Sequence, residues 1–392
     1  MSSSSTSTTT ISTTNTMHTT TTHLGSPPSH WSSTLSDGVG SLSASKNYSP
    51  PYRPFAPAES PQPVSIVFDS NVHFVSLSSL ESGLSTKSPT KPAIVSPSLK
   101  DNNITVDPQK WLYEYGAERE RDRQWRQHYV LKMVFGGNLK VELDQQPKQI
   151  LDCGCGVGLW TLEMAQAYPG AKVIGLDVVL PITGGVSLAD FEENQNGVCV
   201  AGLPNLKYIY ADLLSPLPFP DNTFDLINQR DVATVVPAKY WPDLVKEFQR
   251  VLKPGGKLQL VEYDILFKSP GPVLALVNEW YKIAASMIGV DPHYVQSIEP
   301  LLQKTGFEDV EETVYSIPIG EWPDDPTKKQ QGYLYKEQIK ALFKSMRKWW
   351  LSEIRVTSEE YERVCLGALD EFEEHENVAE WRIFTARKPL KE

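Results

Sequence analysis

The chain has 392 residues and is 40% hydrophobic, enough for a sizeable core and one or two domains. Its formal charge of −11 argues against nucleic acid as a partner, because that affinity rests on neutralising phosphates. No stretch is long and apolar enough to span a membrane; the nearest, 273–288, is interrupted by Asn278, Glu279 and Lys282.

The four cysteines are Cys153, Cys155, Cys199 and Cys365. No Cys/His cluster has zinc-ligand spacing, so no metal site is expected. The N-terminal stretch lacks the basic-then-apolar order of a secretory signal and is poor in arginine. The expected compartment is reducing and intracellular, cytoplasmic or nuclear.

Residues 1–103 are low in complexity, with Ser and Thr dominant to Thr22 and Pro joining from Pro27. Such a segment buries too little apolar surface to offset chain entropy, and it reads as a disordered tail. Protein partners are expected to bind through it. One island, from Val64 to Val75, is apolar enough for a strand or docking motif, and equally for a collapsed patch without structure.

The ordered domain is placed at 104–392. Ala117 to Phe135 reads as a helix, charged in its first half and apolar in its second, stopped by Gly136-Gly137. Taken alone, its charges describe a solvated face held by i,i+4 pairs.

Ile150-Leu151-Asp152-Cys153-Gly154-Cys155-Gly156-Val157-Gly158 is the organising stretch. It reads as a buried strand end followed by a tight turn whose glycines let a ligand approach the backbone. Leu159 to Ala165 opens a helix whose N-terminal N–H groups point back at the turn. The dinucleotide fingerprint Gly-x-Gly-x-x-Gly fails, because counting from Gly154 its third glycine falls at Leu159. Asp152, ahead of the glycines, suits a ligand that brings positive charge to the strand end. S-adenosylmethionine, with its ammonium and sulfonium, has that character.

A second strand, 171–177, ends in Asp177, an acid placed to hydrogen-bond ribose hydroxyls. Val178 follows it and packs either on an adenine face or as an ordinary strand end. The stretch 178–204 reads as a long loop over the cofactor, with a short helix at 187–194. A third strand ends at Ala211; Asp212 is placed to accept from an adenine amino group, and Leu213 is assigned to the cofactor with it. A fourth, from Phe224, closes in Asn228-Gln229-Arg230-Asp231 at the ligand crevice. Arg230 pairs there either with a carboxylate of cofactor or substrate, or simply with Asp231.

Further along, 240–251 reads as an amphipathic helix and 252–256 as a Pro-Gly-Gly turn. A fifth strand follows at 257–262. Helices are read at 273–288, 295–304, 332–350 and 358–375, and strands at 310–317 and 379–387.

The glycine turn, Asp177, Tyr210-Ala211-Asp212, Phe224-Asp225-Leu226-Ile227 and Leu252-Lys253-Pro254-Gly255-Gly256 together resemble the class I S-adenosylmethionine-dependent methyltransferases. The resemblance implies an α/β fold, a doubly wound and mostly parallel seven-stranded Rossmann-like sheet with the last strand antiparallel. It implies S-adenosyl-L-methionine as cofactor. The assigned cofactor residues are Asp152, Gly154, Gly156, Gly158, Asp177, Val178, Asp212, Leu213 and Arg230.

A narrower resemblance rests on Glu120-x-x-Arg123, Gln127-His128-Tyr129, Phe135-Gly136-Gly137, Tyr240-Trp241-Pro242-Asp243-Leu244 and Arg387-Lys388-Pro389. These are similar to the LaeA-type methyltransferases of filamentous fungi. That group implies an N-terminal helix folded over the cofactor, with Tyr113, Glu120 and Arg123 near its methionine end. Tyr115-Gly116-Ala117 departs from the group's pattern, so Tyr113 is kept out of the assigned set. The group is associated with control of secondary metabolism, which implies a regulatory role.

The methyl acceptor, protein or small molecule, is not legible, and no catalytic base is nominated. His128, the only histidine inside a family-like motif, reads as packing or capping structurally, and His293, Asp231, Glu262 and Asp264 are candidates by position only. Two other functions stay open: a methyltransferase-like scaffold in a regulatory complex, and a biosynthetic O- or N-methyltransferase of a metabolite.

Overall fold

The structure is a computed structural model and describes residues 118–181, 197–200 and 202–390. The tail 1–103 with its apolar island, Tyr113 and the short helix expected at 187–194 lie outside the described residues.

In chain order the elements are α1 (Glu118–Phe135), β1 (Gln149–Cys153), α2 (Leu159–Ala167), β2 (Lys172–Asp177), β3 (Gly197–Val200), β4 (Leu203–Tyr210) and β5 (Phe224–Arg230). Then come α3 (Trp241–Val251), β6 (Leu252–Asp264), α4 (Pro272–Met287), α5 (Ile298–Thr305), β7 (Glu308–Pro318), α6 (Pro326–Glu353), α7 (Ser358–Glu374) and β8 (Val378–Arg387). The strands form one sheet in the order β3-β4-β2-β1-β5-β6-β8-β7. From β4 to β6 all neighbours are parallel, and β8 runs antiparallel between β6 and β7.

The seven strands of the expected sheet are therefore present in a doubly wound arrangement. An eighth, β3, pairs antiparallel with β4 at the edge, inside the stretch that reads as loop from sequence.

Alternation along the strands assigns the two faces. Leu151, Cys153, Ile174, Ile227, Leu258 and Leu260 face one side and pack with Trp241, Phe248 and Leu302 of α3 and α5. Ile150, Val173, Leu206, Tyr208 and Leu226 face the other and meet Trp160 and Met164 of α2. Further along that second face, Val261, Tyr263, Trp381 and Ile383 pack beneath α1, α4, α6 and α7.

Two boundaries differ from the sequence reading. Pairing of β6 with β5 begins at Leu252 and resumes at Lys257, so the Pro-Gly-Gly turn is a bulge within the strand, with Gly255 at φ +77°. Helix α6 begins at Pro326 rather than at Gly332. The Asp325 side chain accepts the Lys328 N–H, and Pro326 fills the first turn; a cap and a proline there outweigh one interior glycine.

Candidate active site

The site lies at the carboxyl ends of β1, β2, β4 and β5, the crevice in which doubly wound sheets take ligands. A cleft there encloses about 1000 Å³, open solvent at its mouth included.

Its floor is the glycine turn. Gly154, Gly156 and Gly158 all have positive φ, at +68°, +55° and +74°. The N–H groups of Gly154 and Cys155 both donate to the Leu176 carbonyl, which ties the turn to β2. A Cβ on Gly154 would meet Val232 Cγ1 at 2.8 Å, inside the cleft wall. Gly158 does not line the cleft. It closes the turn from behind: its carbonyl accepts the Tyr208 hydroxyl at 2.8 Å, and a Cβ would lie 2.5 Å from that same oxygen.

The other assigned residues, Asp152, Asp177, Val178, Asp212, Leu213 and Arg230, all line the cleft. Asp177 accepts the N–H groups of Gly156 and Val179 on its two oxygens. Asp212 accepts the Leu214 N–H.

Asp152 is a strut as well as a wall. Thr161 donates to one of its oxygens at 2.6 Å and Asn228 to the other at 2.8 Å. Gln259 donates in turn to Asn228 at 3.0 Å. These three polar side chains form a row across β1, β5 and β6, as the register dictates. Burial pushes the Asp152 carboxyl up to about 6, against the hydrogen bonds from Thr161 and Asn228.

The roof comes from α1, and here the solvated reading of its charges fails. Glu120, Arg123, Gln127 and His128 are buried, while Trp125, Tyr129 and Met133 face outward. Glu120 accepts from Arg123 on both oxygens; Arg123 donates to Gln127 Oε1 at 3.0 Å; Gln127 donates to Asp231 Oδ2 at 2.9 Å. Glu120, Arg123, Gln124 and Gln127 line the cleft, as the LaeA-type resemblance implies for the first two. A charged residue turned inward has no sequence signal of its own; only the resemblance carried by Glu120-x-x-Arg123 and Gln127-His128-Tyr129 pointed to it.

Arg230 and Asp231 do not pair. Asp231 turns away at φ +60°, toward Gln127 and Arg123. Arg230 meets His128 instead. Glu262, a candidate by position, accepts the N–H groups of Val232 and Ala233 and the Gln229 amide, and so buttresses the wall. It does not line the cleft.

A profile of the family described as methyltransferase domain matches residues 150–256, the stretch from β1 into β6. The chain is 31% identical over 237 residues to secondary metabolism regulator LAE1 of Cochliobolus heterostrophus, covering 57% of this chain and 71% of that protein. The chain belongs to the S-adenosylmethionine-dependent methyltransferases of the LaeA type. This methyltransferase is also 27% identical over 254 residues to methyltransferase pytC of Aspergillus terreus, covering 61% and 73% of the two chains. Among solved structures it is similar to phosphoethanolamine N-methyltransferase 2 of Haemonchus contortus, with 19% identity and a TM-score of 0.39. That likeness covers 67% of this methyltransferase and 56% of the other chain.

S-adenosylmethionine is the cofactor of the family, and the residues present fit it. The turn leaves no room for a Cβ at Gly154, acids close β2 and the β4 loop, and the half-buried Arg230 has no carboxylate of the described residues at ion-pair distance. Among the described residues, no group of three metal-ligating side chains stands together, and no helix is long and apolar enough to cross a membrane.

Proposed function

We propose that this methyltransferase acts in the control of secondary metabolism, in the cytoplasm or nucleus, on a protein or small-molecule acceptor. The observation that carries the reading is a complete cleft: a glycine floor, an acid wall and a polar roof built by α1. The likeness to the regulator LAE1 over most of that protein's length supports the regulatory role.

In this reading Asp177 takes the ribose hydroxyls, Asp212 and Leu213 the adenine, and Arg230 the methionine carboxylate. When bound, S-adenosylmethionine supplies a methyl group already activated on a sulfonium. The chain's own work is then alignment, which supplies much of the rate in such a displacement. The Glu120–Arg123–Gln127–Asp231 relay fixes the roof above the acceptor's approach. The Ser/Thr/Pro-rich segment 1–103 offers contacts to protein partners.

The test uses purified full-length chain, methyl-labelled S-adenosylmethionine and an extract of the source cells. Label in protein supports the regulator. Label in small molecules favours the second reading, a biosynthetic enzyme, which the likeness to pytC supports. Cofactor bound but no label transferred leaves the scaffold.

A further inference from the structure

Arg230 ends β5 and lines the cleft, yet its guanidinium has no carboxylate of the described residues within 4 Å. The nearest candidates are engaged elsewhere. Asp231 is turned to Gln127, and both oxygens of Asp152 hold Thr161 and Asn228. What the Arg230 Nη2 does meet is Nδ1 of His128, at 3.1 Å.

A guanidinium carries only donors, so Nδ1 must be the acceptor and must be bare of a proton. The proton of the neutral ring is then on Nε2. That atom lies 3.3 Å from Glu163 Oε2. Glu163 is itself held by Lys132 at 2.8 Å and Asn138 at 2.7 Å. The ring is held by Arg230 at Nδ1 and lies with Nε2 beside the Glu163 carboxylate, between α2 and β5. Its burial is complete, and burial lowers its proton affinity, so it stays neutral.

A neutral acceptor has a consequence that a carboxylate would not. It takes one N–H of Arg230 and so orients the guanidinium without forming an ion pair with it, while the Asp152, Asp231 and Glu163 carboxylates favour its charge from beyond 4 Å. Arg230 lines the cleft, with its remaining donors unspent on any carboxylate of the described residues. An arriving carboxylate finds a preorganised bidentate partner.

We propose that His128 is a positioning residue, which holds Arg230 charged and oriented for the α-carboxylate of the cofactor's amino-acid portion. The proposal rests on the reading of Arg230 as a cofactor residue.

The experiment measures binding to the full-length chain by calorimetry with two probes. S-adenosylhomocysteine carries the amino-acid carboxylate, and 5′-methylthioadenosine lacks it. His128→Phe keeps a planar ring but no acceptor. It is expected to weaken S-adenosylhomocysteine about tenfold or more, the scale of one charge-assisted hydrogen bond, and to leave 5′-methylthioadenosine within about twofold. His128→Gln, whose amide oxygen accepts, is expected to restore much of the preference. Arg230→Gln should abolish it.

Equal weakening of both probes by His128→Phe, or no change in either, overturns the proposal while leaving Arg230 as a cofactor residue. Arg230→Gln with the preference intact overturns the reading of Arg230, and the proposal with it. Independent of any variant, nitrogen NMR of the wild-type chain should show His128 protonated on Nε2 and bare on Nδ1. The opposite tautomer, or a doubly protonated ring at neutral pH, also overturns the proposal.

Discussion

The Asp177 carboxylate accepts the backbone N–H of Gly156 at 2.8 Å, across a separation of 21 residues. One side chain at the end of β2 therefore fixes the middle of the turn that follows β1. Two parts of the cleft wall are tied into a single unit by this bond.

Asp177→Ala removes that tie together with the acid facing the cleft. S-adenosylmethionine binding should weaken by about 1.5–3 kcal/mol, the scale of charge-assisted hydrogen bonds. Titration calorimetry checks it. NAD should show no binding to the wild type, since the third dinucleotide glycine is missing; measurable NAD affinity would contradict the cofactor assignment.

Gly156 separates enzyme from scaffold. At φ +55° a β-branched side chain is strained by about 1–2 kcal/mol, and Gly156 lines the cleft. Gly156→Val should fold, with a melting temperature within a few degrees of wild type, and lose cofactor binding. Its cellular effect should vanish. A variant that is folded, blind to the cofactor and fully active in the cell would overturn the enzyme reading.

Glu163 gives an acid-range signature. Burial works against its charge, but hydrogen bonds from His128, Lys132 and Asn138 prevail and hold its carboxyl down to about 2, from an ordinary 4.5. A depressed folded value means stability present above pH 4.5 and lost as the pH falls toward 2. Glu163→Gln should destabilise the domain at pH 7 by about 1 kcal/mol, after discounting for solvent screening. Denaturant titrations should show that difference shrinking through the same acid window.

Glu262 gives the opposite sign. Burial pushes it up to about 8, from 4.5, against the hydrogen bonds it accepts from Ala233, Gln229 and Val232. Its neutral form favours the fold, so its contribution is full below pH 4.5 and is lost as the pH rises toward 8. Glutamine is neutral throughout, and Gln229, whose Oε1 has no partner, can turn its amide to accept from it. The stability of Glu262→Gln relative to wild type should therefore climb across that window, reaching about 1–3 kcal/mol at its upper end. A flat difference between pH 5 and pH 8 would show that the wall holds Glu262 ionised.

Much of this protein was determined locally. The run from Ile150 to Gly158 allows almost one backbone path, because three alternating glycines take the positive φ that other residues resist. Short apolar strands, one ending in Asp177 and one followed by Asp212, place acids at one edge of a parallel sheet, since parallel strands share their carboxyl ends. The order of those pieces was enough to read the fold, the cofactor and most of the cleft wall. The tertiary structure decided what locality does not encode. Glu118 to Gln127 carries charges on nearly every turn, and its pattern does not say which face goes inward. Only the charged end of β5, Arg230 and Asp231, together with Glu163 of α2, makes the charged face the buried one. Trp125, Tyr129 and Met133 are left outward for the same reason. Likewise Arg230 and Asp231 are neighbours in the chain, where a pair is the simplest reading. The positive φ at Asp231 sends them to partners on α1 more than a hundred residues away, His128 and Gln127. A polar side chain goes where a partner can satisfy it in the dark of a core, and that partner is known only once the chain has folded.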